Sequence, residues 1–502
     1  MIMCRARRIT LMMLMMASPG GLLFAEETGG APQAEMWMAV PFLLLLFSIA
    51  LMPFINRHWW EKNYPSVSVG LGIVMIGYYV IGLGASGRML HSGQEYVSFI
   101  MLIGSLFVVA GGIHVKIKGK SRPVSNLTLL GIGAVLSNIV GTTGASMILI
   151  RPFLRVNRYR IKPYHVVFFI FIVSNMGGAL TPIGDPPLFL GYLRGVPFFW
   201  VAEHLFFKWA IAMIAVLAVF YVLDRISFGK LPASVRQGAE GAEEESEVAG
   251  MHNIVFLVVI LVAVFIQRPL FLREALMLLA AAGSYYTTKE VIHKKNEFNF
   301  LPVKEVAILF FGIFATMVPA LDWLEQNAAS IGLRHPGQYY WATGSLSAFL
   351  DNAPTYLNFL SAAIGLFVNQ EIVQQVQAFI AHHGADIQNI TGPNAVAIRN
   401  TLETLMKYHY DLVAAGYVPV NDINTAYLIG NHNIYLQAIS IAAVFFGACT
   451  YIGNGPNFMV KAIAAHAGVE SPNFVEYIVK YTLPVLLPIF LLVWLLFFNG
   501  TI

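Results

Sequence analysis

"GALTPIGDPPLF" (residues 178–189) and "GACTYIGNGPNF" (residues 447–458) are the stretches whose reading decides the fold. Each lies within an apolar run long enough for a membrane helix, yet carries glycine, proline and polar residues midway along it. Proline removes a helical hydrogen bond, and an aspartate at the bilayer centre costs about 2.5–3.5 kcal/mol on insertion scales. Overlaid, the two stretches match at Gly178/Gly447, Ala179/Ala448, Thr181/Thr450, Ile183/Ile452, Gly184/Gly453, Pro187/Pro456 and Phe189/Phe458, with Asp185 opposite Asn454. A packing kink accounts for a single proline or glycine but not for two matched, multiply broken segments.

The rest of the chain supplies the setting. Of 502 residues, 57% are hydrophobic and 12% charged, and mean hydropathy is +0.67. So few charges do not cover a soluble protein of this length. Repeated apolar runs of about 20 residues suit a hydrocarbon core of about 30 Å. The net charge of +4 is loop bias and not a nucleic-acid surface, and two cysteines, Cys4 and Cys449, exclude a disulfide framework. Residues 1–25 have the layout of a signal peptide, with Arg5, Arg7 and Arg8 before a short apolar stretch ending at Ala25. An uncleaved helix is the alternative.

The positive-inside rule then orders the spans from a mature N-terminus outside the inner (cytoplasmic) membrane of a bacterial-type cell. Runs 36–55, 65–85 and 97–115 cross in turn, with basic clusters at Arg57–Lys62 and Lys116–Arg122. Run 124–150 has cytoplasmic-type charge at both ends and "SNIVGTTG" in its middle, which predicts a re-entrant hairpin. A broken span follows at 164–190 and a closing span by 223. Residues 224–250 form a polar linker, and the glutamates 243–245 in it are a solvated run. The second half, 251–499, repeats the plan from the opposite side, with a hairpin at 341–366, a polar outer insertion at 367–430 and a broken helix at 432–463. The expected fold is an all-α polytopic membrane protein of two inverted-topology repeats, about ten spans plus two hairpins. In the hairpins, "LSN" (136–138) is laid over "LDN" (350–352), pairing Asn138 with Asn352 and Ser137 with Asp351.

Unwound backbone at the repeat interface makes a solute site. Its side chains are oxygen donors without lysine or arginine: Ser137, Asn138, Thr142, Thr143, Thr181, Gly184, Asp185, Ser347, Asp351, Asn352, Thr355, Thr450, Gly453, Asn454 and Asn457. Hard cations such as sodium or lithium prefer such ligands. A partly desolvated carboxylate can trade a proton for such an ion, with Asp351 the first candidate and Asp185 the second. Asp185 is equally suited to N-cap a returning half-helix, since Pro186 and Pro187 follow it. His114, His165 and His204 fall near span ends and read as interfacial; Trp59, Trp60, Trp200 and Trp209 read as an aromatic belt. His382 and His383 lack a third ligand at metal spacing.

These residues suggest exchange of sodium or lithium for protons by alternating access, with the cation as substrate and no cofactor. Cation-coupled uptake of citrate or a dicarboxylate is the alternative, because helix N-termini bind carboxylates without arginine. An intramembrane aspartyl protease using Asp185 and Asp351 is a remote third, since an enzyme gives no reason for the second break. "SNMGGALTPIGDPPLFLGYLRGVPF", "SNIVGTTGAS", "SAFLDNAPTYLNF" and "GACTYIGNGPNF" resemble the ion transporter superfamily, which includes NhaD-type sodium/proton antiporters, citrate and dicarboxylate carriers and arsenite permeases. The resemblance, over residues 36–499, implies two inverted repeats with hairpins and a homodimer in the bilayer. In NhaD-like proteins a Ser-x-x-x-Asp-Asn pattern contributes to cation handling, and Ser347, Asp351 and Asn352 keep it. The first hairpin departs, with Ser137 where the aspartate is expected. The dicarboxylate carriers carry Ser-Asn-Thr at both tips, which "SNI" and "DNA" do not match.

Overall fold

The computed structural model describes residues 34–116, 121–232, 247–266, 269–383 and 390–499. The expected signal peptide and the glutamate run lie outside these residues. Helices account for nearly all of the described secondary structure, because an apolar chain in lipid must satisfy its backbone within each segment. Eight of them are long and apolar enough to cross a membrane. The chain is an integral membrane protein, and Leu44, Phe47, Ile73, Val74, Phe207, Ile214 and Leu496 turn their side chains outward as a lipid-facing surface does.

In order, α1 is Val40–Ile55, α2 Arg57–Gly77 and α3 Ser86–Gly111. The long helix α4, Pro123–Val156, is not a single rod. Gly141 has φ 76° and ψ 158°, left-handed values that glycine alone adopts without strain. A Cβ at Gly133 would lie 3.1 Å from Leu149 Cδ1, whereas a straight helix separates residues sixteen apart by about 24 Å. The chain therefore doubles back at Gly141. Its two ends meet: Asn126 and Asn157 exchange amide hydrogen bonds of 2.8 Å, and Arg160 pairs with the buried Asp224 beside them. Next come α5 (Pro163–Ile172), an irregular stretch through Asp185, α6 (Pro186–Leu193) and α7 (Phe198–Gly229). Helix α7 thus extends six residues into the stretch 224–250 that the sequence assigned to the linker.

The second half holds α8 (Asn253–Val264), α9 (Leu272–Thr287), the short α10 (Glu290–Lys295) and α11 (Leu301–Ile331). At 12 residues α8 is about 18 Å long, too short to cross alone. Helices α12 (Pro336–Phe349) and α13 (Asn352–Phe367) are joined by the extended residues Leu350 and Asp351. They fold back on each other, with the Tyr339 ring 6.4 Å from that of Phe359 and 6.1 Å from that of Phe367. The polar stretch after them contains α14 (Gln370–His383), α15 (Ala395–Tyr408) and α16 (Tyr410–Ala414). These share a separate core of Ile372, Val376, Ile380, Leu402, Leu405 and Val413. Helix α17 (Val420–Phe446) leaves helical geometry at His432, where the sequence begins its broken span. Then follow α18 (Gly455–His466) and α19 (Phe474–Phe497).

The packing is paired. Helix α2 lies on α11 as α9 lies on α3; α1 packs on α2 as α8 on α9; α4 packs on α18 as α13 on α6. A short ribbon, β1 (His114–Lys116) against β2 (Glu247–Ala249), ties α3 to the start of the second half. Four expectations about single residues fail: His114 is buried with Nδ1 2.7 Å from Asn296 Oδ1, Trp60 is buried, and so are His165 and Trp200. His165 is fully buried with its ring nitrogen 3.1 Å from Asp224, and Trp200 is fully buried with its indole on Asn433. His165 and Trp200 lie near helix ends, but those ends are covered by neighbouring helices.

Cysteines replacing the exposed Arg122 and Arg158, in protein lacking Cys4 and Cys449, should react with an impermeant thiol reagent from the same side of sealed vesicles. Labelling from opposite sides would contradict the fold-back at Gly141.

Candidate functional site

Helix limbs begin where the four breaks end. Asp185 occupies the N-cap position of α6, with Pro186 and Pro187 in the first turn, yet its side chain makes no capping bond. The carboxylate instead accepts hydrogen bonds from Thr142 Oγ1 (2.9 Å), Asn454 Nδ2 (2.9 Å) and Asn352 Nδ2 (2.6 Å). Thr142 opens the second limb of α4, Asn352 opens α13 and Asn454 precedes α18. Four helix N-termini thus surround one carboxylate that is 1% exposed. Each N-terminus carries about half a positive charge. This positive potential offsets part of the cost of burying a carboxylate with no basic side chain bonded to it.

The backbone of the breaks is held by hydroxyls and close glycine contacts. A methyl on Gly184 would sit 2.1 Å from the Gly178 carbonyl oxygen, so only glycine permits that crossing. Thr181 Oγ1 donates to the Asn138 carbonyl at 2.6 Å and accepts from Gly184 N; Thr450 Oγ1 donates to the Ala348 carbonyl at 2.6 Å and accepts from Gly453 N. Ser137 Oγ donates to the Val173 carbonyl (2.7 Å) and Ser347 Oγ to the Ala443 carbonyl (2.6 Å). Asn138 donates to the Gly177 carbonyl and accepts from Leu180 N.

These matched bonds correct the hairpin pairing read from sequence. Ser137 stands where Ser347 stands, Asn138 where Ala348 stands, Gly141 where Asp351 stands and Thr142 where Asn352 stands. The "LSN"/"LDN" overlay was off by four residues, close to one helical turn. A one-turn slip keeps side chains on nearly the same face, so the sequence pattern does not reveal it.

The two acids differ in their surroundings. Asp351, ranked first from sequence, is half-buried and caps α13 by accepting from Ala353 N at 3.0 Å. Asp185, suspected of capping, is the buried centre. No hydrogen bond joins the two carboxylates among the described residues. Thr355 bonds back to the Asp351 carbonyl, and Thr143 is half-buried without a side-chain hydrogen bond among the described residues. Asn457 belongs to the site through a residue the sequence did not single out. Asn175, fully buried, donates to Asn457 Oδ1 at 2.6 Å and accepts from Asn454 Nδ2 at 3.2 Å. Its only signal was the polar pair Ser174-Asn175 closing the apolar run before the first break. Among the described residues no group of three or more His, Cys, Asp or Glu side chains is placed to hold a metal ion.

Interrupted helices meeting on a buried carboxylate inside a helical membrane protein are the architecture of membrane transport. The chain matches, over residues 31–498, the family model described as "Putative citrate transport", and it belongs to that family. No curated protein matches it.

The geometry ranks the acids. Asp185→Asn should abolish the sodium dependence of the purified protein's thermal midpoint. Asp351→Asn, whose amide oxygen still caps Ala353 N, should leave it within about threefold. Asn454→Ala removes a hydrogen bond to a charged group, about 1.5–3 kcal/mol, and should raise half-saturating sodium about 10- to 100-fold, and Asn352→Ala, which removes an amide from the same carboxylate, should raise it as well. Equal loss in both aspartate variants would contradict the ranking.

Proposed function

We propose that the protein is a cation-coupled carrier of a carboxylate solute, with citrate as the cargo, working by alternating access between two inverted halves. The observation that carries this reading is Asp185: a carboxylate 1% exposed, bonded to three neutral donors and to no basic residue. A charge so placed needs a cation or a proton, and a hard monovalent cation finds oxygen ligands around it. The converging helix N-termini supply positive potential for an anionic cargo beside that cation, so the lack of arginine or lysine is no obstacle. Membership of a citrate-transport family supports the choice of cargo. The paired packing of α2 on α11 and α9 on α3 supports the inverted repeat, with residues 36–223 and 251–499 as the two halves. The basic residues Arg122, Arg155, Arg158 and Lys289 support a cytoplasmic location for the end that carries them.

A second reading keeps the cation and drops the cargo. Asp185 alone, alternately protonated and cation-bound, is enough for sodium/proton exchange, and the all-oxygen lining favours it to that extent.

Proteoliposomes separate the two. An inward sodium gradient should drive uptake of labelled citrate, and Asp185→Asn should lower that uptake at least about 100-fold. Sodium-dependent collapse of an imposed pH gradient without any carboxylate, and no citrate uptake, would overturn the first reading in favour of exchange.

A further inference from the structure

The two amides bonded to Asp185 are not equivalent. A backbone carbonyl can only accept a hydrogen bond, so carbonyls fix which end of an amide faces them. Asn457 Nδ2 donates to the carbonyls of Gly447 (2.8 Å) and Thr450 (2.9 Å), which uses both of its hydrogens. Its Oδ1 therefore faces Asn175, and Asn175 Nδ2 must donate to it, at 2.6 Å. The second Asn175 hydrogen goes to the Ile170 carbonyl at 2.8 Å. Asn175 Oδ1 is then left to accept from Asn454 Nδ2, at 3.2 Å, beside the Ser174 carbonyl at 3.3 Å. Asn454 directs its other hydrogen at Asp185. Turning Asn454 over would set its oxygen against Asn175 Oδ1 and the Ser174 carbonyl, and nothing upstream can turn with it. The chain of amides ends on immovable backbone carbonyls.

Asn352 has no such chain. Its Nδ2 donates to Asp185 Oδ2, while its Oδ1 is buried without a hydrogen-bond partner among the described residues. Asp185 Oδ2 takes only that one side-chain bond and has a lone pair to spare, whereas Oδ1 takes two.

We infer that Asn175 is a positioning residue of this site: it locks Asn454 as a donor to Asp185 and leaves Asn352 as the amide whose oxygen joins Asp185 in holding the cation. This rests on the proposal that Asp185 takes a cation. The site is polarised, with one face of the carboxylate permanently engaged by Thr142 and Asn454 and the other open to an ion shared with Asn352. A cation entering this way displaces one donor, Asn352 Nδ2, and leaves the rest of the network standing.

Sodium is the probe, and its half-saturating concentration is read from the thermal midpoint of the full-length purified protein. Asn175→Ala should raise that concentration about tenfold with the maximal shift unchanged. In an Asn454→Ala background the same substitution should add less than about twofold, because the group it positions is gone. In an Asn352→Ala background the tenfold effect should persist. Asn457→Ala, one link further from Asp185, should repeat the pattern at about threefold, and it carries the test if Asn175→Ala does not fold. An effect of Asn175→Ala that is equal in all backgrounds is a packing defect and overturns the inference. Wild-type protein that responds to sodium while Asn175→Ala responds identically overturns the inference alone. Wild-type protein without any sodium response overturns it together with the cation proposal.

Discussion

A carboxylate sealed from water among neutral groups sets the terms for the rest of this structure. Asp185 cannot keep its charge in a low-dielectric interior without compensation, and no guanidinium or ammonium is bonded to it. Part of the compensation comes from four helix N-termini and three side-chain donors, and these meet only because four membrane segments are interrupted at one point. The glycines at 141, 178 and 184, the prolines after Asp185 and the threonines that staple the breaks all serve that convergence. Continuous helices would bring none of these groups to the carboxylate.

The same constraint divides the molecule. Helices α2, α3 and α9 pack as unbroken rods and α11 is kinked only at Asn327, while the doubled-back α4, the pair α12 and α13, and the broken α5/α6 and α17/α18 carry the polar groups. Polar bonds hold the rods to one another and to the broken segments. Within the rods Arg88 of α3 pairs with the buried Asp322 of α11, to which Tyr79 also donates; between the sets Arg194 at the end of α6 reaches Glu95 of α3. The insertion is anchored where Lys407 and Tyr408 of α15 meet Glu203 of α7. Its independent apolar core makes it a small helical subassembly and not a loop.

What was legible in the sequence follows from how far apart the interacting groups lie. The breaks at 178–189 and 447–458 announce themselves through local chemistry, since glycine and proline in an apolar run have few other uses. The fold-back at Gly141 was legible from charge at both ends of one apolar run. The register between hairpins was not, because it is set by Ser137 on the Val173 carbonyl and Ser347 on the Ala443 carbonyl, bonds between distant segments. Asn175 was missed for the same reason: its partners Asn454 and Asn457 lie 279 and 282 residues away. The sequence puts Asp351 ahead of Asp185 through a family-like pattern, and only coordinates show that Asp351 caps α13 while Asp185 lies buried where the breaks meet. His165 misled because a polar residue near a helix end is usually wet, and here it is covered by Asp224 and aromatic neighbours.

The most direct test of the cation site is to look for the ion. Anomalous scattering from crystals soaked in a thallous salt, a heavy stand-in for a monovalent alkali ion, should give a peak within bonding distance of both Asp185 Oδ2 and Asn352 Oδ1, absent from Asp185→Asn crystals. A peak at Asp351 with none at Asp185, or an unchanged peak in the variant, would contradict the account.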